Sequence, residues 1–148
     1  MKYLNRNGTN GIHGMEDDPL SSKVIGLAIE IHKEIGPGYS ESIYHRAMEI
    51  DLAEAEICFV TEAPLAVKYK ERILGSFVAD MIVEEKLLLE FKALENLPLI
   101  SEIQVVQYLK ASRLDVGLIL NFGTATLQIK RKYRHRPQID QEIRLHEV

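Results

Sequence analysis

The run Asp115 to Gly123, DVGLILNFG, limits the fold more than any other stretch of this 148-residue chain. Its apolar side chains do not alternate with polar ones, so a strand built from it buries both faces. A sheet with such a strand inside needs helices above and below it. The chain supplies them. Asp18-Pro19 reads as an N-cap followed by proline at the first helical position. Leu20, Val24, Leu27, Ala28, Ile31 and Ile35 then recur at helical spacing, and Gly36-Pro37-Gly38 stops the helix. Ser40 caps a second expected helix, Glu41 to Ala55, with Tyr44, Ala47, Met48 and Leu52 on its inner stripe. The loop between the two is too short for anything but close packing.

From Pro64 the period changes. PLAVKYK and ERILGSFVADMIVE carry β-branched and aromatic residues, with a turn at Lys70-Glu71. KLLLEFKA forms a third strand after an acidic turn at Glu84-Glu85. Leu99 to Ser112 returns to helical spacing through Ile103, Val106 and Leu109, and TLQIKRKY alternates as a half-exposed last strand. The expected order is α-α-β-β-β-α-β-β: an α/β fold with a central mixed β-sheet flanked by helices on both faces. Residues 1–14, rich in Asn and Gly, read as a flexible tail, and 15–148 as a single domain.

No uninterrupted apolar run reaches membrane-spanning length, the N-terminus lacks a secretory signal pattern, and Cys58 is the one cysteine. These features point to a cytoplasmic setting without a membrane partner. The net charge of −4 is uneven. Lys130, Arg131, Lys132, Arg134 and Arg136 crowd into KRKYRHR, leaving about −9 on the remainder. That block is either a contact for a phosphate backbone or an edge strand protected by its charges.

Three charges interrupt the apolar strands of VADMIVEEKLLLEFKA: Asp80, Glu90 and Lys92. Glu90 and Lys92 share a strand face. If the hairpin pairs residues whose numbers sum to 170, Asp80 stands opposite Glu90; a slip of one residue turns it away. Two buried carboxylates repel, and desolvation costs several kcal/mol per ion unless something compensates. Mg²⁺ takes one or two carboxylates and keeps waters for chemistry, and a nearby lysine can orient such a water or stabilise a phosphorane-like charge. The simpler alternative is an ion pair between Glu90 and Lys92 at a strand end. Gln104 and Tyr108, four apart on the third helix, could support such a site or a bound phosphate or base; otherwise they are a solvated amide and a packed ring. Glu41, in the first turn of the second helix with Tyr44 on the same face, is either a dipole-favoured capping group or part of a cation's shell.

Gly38-x-x-Glu41-x-x-Tyr44, Asp80, Glu90-x-Lys92, Gln104-x-x-x-Tyr108 and GLILNFG together resemble the GxxExxY protein family, within the PD-(D/E)XK nuclease-like superfamily, in the order of its RecB-like branch. The resemblance covers roughly residues 19–133. It implies a restriction-endonuclease-like core and a phosphodiesterase site using Mg²⁺ or Mn²⁺. Asp80 and Glu90 would be metal ligands with Glu41 a third carboxylate, Lys92 the catalytic lysine, and Gln104, Tyr108 and Tyr44 supports or nucleic-acid contacts. AIEIHKEIGPG resembles the family's first-helix ending, making His32 either a neighbour of the site or a packing histidine. Ala79 stands where the superfamily's name has proline. The function so implied is a metal-dependent nuclease acting on DNA by water attack. The alternatives are a non-catalytic nucleic-acid-binding or regulatory module that works with a partner, and a structural ion-pair network. The acidic body would slow approach to DNA, which favours a homodimer or a protein partner that completes a basic groove.

Overall fold

A computed structural model describes residues 18–135. Helix α1 (Pro19–Ile35) begins where Asp18 Oδ2 accepts from the Ser21 N–H at 3.1 Å, with proline in the first turn. It ends at Gly36, whose positive φ of 77° suits glycine. Helix α2 (Glu41–Glu54) follows. Ser40 occupies its N-cap position without a capping side-chain bond; its hydroxyl meets Ser42 instead, at 3.0 Å. Tyr44 fastens the loop between the helices. Its hydroxyl donates to the Gly36 carbonyl at 2.6 Å and accepts from the Tyr39 N–H at 3.2 Å.

Five strands follow: β1 (Phe59–Tyr69), β2 (Arg72–Val83), β3 (Leu87–Lys92), β4 (Val116–Asn121) and β5 (Gln128–Tyr133). Helix α3 (Leu99–Ser112) links β3 to β4. The sheet order is β1-β2-β3-β4-β5, with β3 and β4 parallel and the other pairs antiparallel. The sequence places the start of β1 at Pro64, yet the strand begins at Phe59. Proline interrupts a ladder only on the side where a neighbour waits for its N–H, and β1 is an edge strand, so Pro64 fits inside it opposite Val78.

Helices cover both faces, as the DVGLILNFG run requires. On one face α1 and α2 bury Val24, Ala28, Ile31, Tyr44, Met48 and Leu52 against Met81, Leu87, Leu89, Phe91, Leu118 and Phe122. On the other, Val105 and Leu109 of α3 pack on Leu65, Ala79, Leu88 and Ile119. Each such large side chain contributes about 1.5–3 kcal/mol when fully buried. Gly117 lets α3 approach, since a Cβ there would meet Val105 Cγ1 at 2.9 Å. Gly123 lies so close to the Ala93–Leu94 backbone that a side chain would collide with it. No described helix is long and apolar enough to cross a membrane.

Strand β2 changes faces at one residue. Phe77 and Ala79 pack on the α3 side, whereas Met81 and Val83 join the α1–α2 side. In regular β-structure, residues two apart share a face, so the chain twists sharply between Ala79 and Met81. Strand β1 makes the same exchange around Glu62, which has a φ of 50°. Asp80 lies at this twist.

Candidate functional site

The hairpin register places the carboxylates together. Met81 pairs with Leu89, Ile82 with Leu88 and Val83 with Leu87, each pair summing to 170. Beyond Met81 the ladder stops, and side chains take over its hydrogen bonds. The Asp80 N–H donates to Glu90 Oε1 at 3.0 Å, and the Phe91 N–H donates to Asp80 Oδ2 at 2.8 Å. Each carboxylate therefore grips the other strand's backbone and faces the other carboxyl group.

Glu90 is 7% exposed. Burial, and then the negative charge of Asp80, push its pKa from 4.5 up to about 8, partly opposed by the Asp80 N–H and the charge of Lys92. The side chain thus holds a proton at neutral pH in the metal-free protein. Tyr108 reaches the same neighbourhood from α3. Burial raises its pKa, as do the charges of Glu90 and Asp80, and its ring packs on Phe77 with centroids 5.1 Å apart. Lys92 is half-buried, acts on Glu90 through its charge, and closes no ion pair with a described residue. The simple Glu90–Lys92 salt bridge is absent among the described residues.

A cavity of ≈ 540 Å³ opens beside Asp80. Strands β1 and β2 give it Thr61, Glu62 and Asp80, and Phe91 lines it from β3. The α2 wall carries Glu41, Ser42, His45, Arg46 and Glu49. Glu41 thus shares this cavity with Asp80. Among the described residues, however, no three His, Cys, Asp or Glu side chains gather closely enough to hold a metal ion. The donor set that does form is the Asp80–Glu90 pair, an all-oxygen pair of the kind that suits Mg²⁺ or Mn²⁺. A divalent cation would displace the proton that burial and the neighbouring Asp80 charge keep on Glu90.

Other expected residues have different partners. His32 is buried on α1; its Nε2 bonds the Thr124 carbonyl at 2.9 Å, and its ring stacks on Phe122, centroids 6.0 Å apart. Tyr44 is fully buried in the same aromatic stack and holds the α1–α2 loop. Gln104 is half-buried on α3, and its side chain makes no hydrogen bond with a described residue. The basic block forms edge strand β5, whose alternation divides Lys130 and Lys132 from Arg131. Lys132 bonds Glu102 at 3.1 Å and Arg134 bonds Asp115 at 2.8 Å, while Arg136 and the 1–14 tail lie outside the described residues.

Sequence reasoning passed over His45 and Glu49. The signal was the repeat Glu41, His45, Glu49 at four-residue spacing, which draws one polar stripe along a helix.

Comparison with known proteins gives one family. A family model described as the PD-(D/E)XK nuclease superfamily matches residues 18–132. No curated protein matches the chain significantly. Among solved structures, "Crystal structure of SSO0001" is similar at 17% identity, over 91% of this chain, with a TM-score of 0.49. The match spans 65% of that protein's chain.

Proposed function

The chain belongs to the PD-(D/E)XK nuclease superfamily, and from that premise we propose that it is a divalent-metal-dependent nuclease hydrolysing phosphodiester bonds in DNA. Within the superfamily we assign it to the GxxExxY group of the RecB-like branch, as one domain over residues 15–148 working in the cytoplasm. The observation that carries the reading is the Asp80–Glu90 pair, two carboxyl groups held together at the cost of keeping Glu90 protonated up to about 8.

In this reading Asp80 and Glu90 hold Mg²⁺ or Mn²⁺, with Glu41 available from the cavity wall. The bound ion supplies an acidified water and neutralises charge at the scissile phosphate. Lys92, whose ammonium already acts on Glu90, donates to the attacking water or to the phosphate oxygen that gains charge. Tyr108, whose phenol feels the charges of Glu90 and Asp80, and Gln104, one turn earlier on α3, serve as hydrogen-bond donors to substrate. Lys130 and Arg131 are the cations of β5 left for backbone contact, with Arg136 beyond the described strand. A homodimer or protein partner would extend that surface.

One observation favours a second reading, a nucleic-acid-binding module that has kept the fold. Both carboxylates already accept backbone N–H bonds, so the hairpin end is satisfied without a cation. Incubation of single-stranded, duplex and branched DNA, and of RNA, with Mg²⁺ or Mn²⁺ separates the two. Metal-dependent cleavage that disappears in Asp80→Asn and Lys92→Ala supports the nuclease. Binding without cleavage supports the module, and cleavage that survives both substitutions sinks the mechanism.

A further inference from the structure

Asp80 is held from three directions, and one of them is a helix. Its N–H goes to Glu90 and its Oδ2 receives the Phe91 N–H. Its carbonyl lies beyond the last ladder pair and bonds His45 Nε2, on α2, at 3.0 Å. A carbonyl oxygen can only accept, so Nε2 carries a proton. The other ring nitrogen, Nδ1, faces Glu49 Oε2 at 3.4 Å, one turn further along α2. The ring also packs on Phe91, centroids 4.9 Å apart and tilted by 56°. Phe91 is the residue whose N–H fixes the Asp80 carboxylate, so His45, Phe91 and Asp80 close a circuit. Packing on Phe91 alone would be met by leucine. The bond to Asp80 needs a donor at the reach of Nε2.

We infer that His45 is a positioning residue for the carboxylate dyad. Its Nε2–H anchors the Asp80 main chain just where the strand twists out of the ladder, and so aims the carboxylate at Glu90 and the cavity. The Glu49 carboxylate, 3.4 Å from Nδ1, orients the ring where that nitrogen also carries a proton. This role rests on the dyad being the metal site, and the experiment keeps the two ideas apart.

Mn²⁺ binding to the full chain is measured by calorimetry for the unaltered protein, Asp80→Asn, His45→Leu and His45→Gln. Asp80→Asn should abolish binding. His45→Leu, which keeps the packing without the donor, should weaken it by about 10–100-fold. His45→Gln, whose amide nitrogen has similar reach, should restore most of that loss. With saturating Mn²⁺, cleavage by His45→Leu should show a reduced kcat and an unchanged KM for DNA. His45→Leu binding Mn²⁺ like the unaltered protein, or His45→Gln as weak as His45→Leu, overturns the positioning role alone. Equal affinity in the unaltered protein and Asp80→Asn, or no binding by either, removes the metal site and the role of His45 with it. Should the variants fail to fold, ¹⁵N spectra of the metal-free protein decide: a proton on His45 Nε2, in the neutral or the doubly protonated ring, supports the inference, and a ring protonated at Nδ1 alone overturns it.

Discussion

Glu90 and Asn121 are both buried polar residues, on the neighbouring parallel strands β3 and β4, yet their surroundings differ in kind. Asn121 has its valences filled. Its Oδ1 accepts from the Leu94 and Gly123 N–H groups, and its Nδ2 donates to the Leu94 carbonyl and to Gln128 Oε1. It locks the chain leaving β3 to the end of β4. Glu90 accepts one backbone N–H, faces another carboxyl group, and keeps a proton that burial forces on it. A buried polar group with all its partners serves the fold. One whose charge lacks a partner marks a place for something to bind.

The largest expected effect lies on the Glu90 side. Asp80→Asn or Lys92→Ala should reduce metal-dependent cleavage by about 10²–10³-fold or more, by analogy with removing one charge-stabilising group from an active site. Circular dichroism should show the folded protein in both. On the Asn121 side the loss should be stability. Asn121→Ala leaves the Leu94 N–H and carbonyl unpaired and should lower unfolding free energy by about 1–3 kcal/mol in urea titrations. Glu90→Gln, which removes an ill-placed carboxyl, should unfold at equal or higher urea at pH 8 while losing cleavage. Asn121→Ala with intact stability would break the contrast.

Stability against pH sharpens it further. Folded Glu90 holds its proton to about 8 against an ordinary 4.5, so between those values the folded form binds more protons than the unfolded chain. Its contribution is complete below the lower value and is lost as pH rises through the upper one. The metal-free protein should therefore lose up to about 1.4 kcal/mol per pH unit across that window, and Glu90→Gln should lack that slope. The smallest effect is expected on β5. The Lys132–Glu102 pair is partly exposed, so Lys132→Ala should cost about 0.2–1 kcal/mol in the same titration and leave Mn²⁺ affinity unchanged.

The parts of the site legible in sequence were those set by local periods. Alternating Leu87, Leu89 and Phe91, with a turn at Glu84-Glu85, determine which face Glu90 takes and which residue stands opposite it. The same local rule explains why DVGLILNFG announced helices on both faces. What long-range packing decides was less visible. His45 takes its importance from a carbonyl 35 residues away. His32 and Tyr44 resemble site residues in one dimension, yet aromatic stacking and carbonyl partners absorb them. Pro64 marked a boundary because the sequence does not say which strand will be the edge.

Carbon-detected NMR titration of the Glu90 side-chain carboxyl, without and with Mg²⁺, reports on the dyad itself. The dyad as a metal site predicts a midpoint near 8 in the metal-free protein and a clear downward shift at saturating Mg²⁺. A midpoint near 4.5 without metal, or one that Mg²⁺ leaves unmoved, would contradict it.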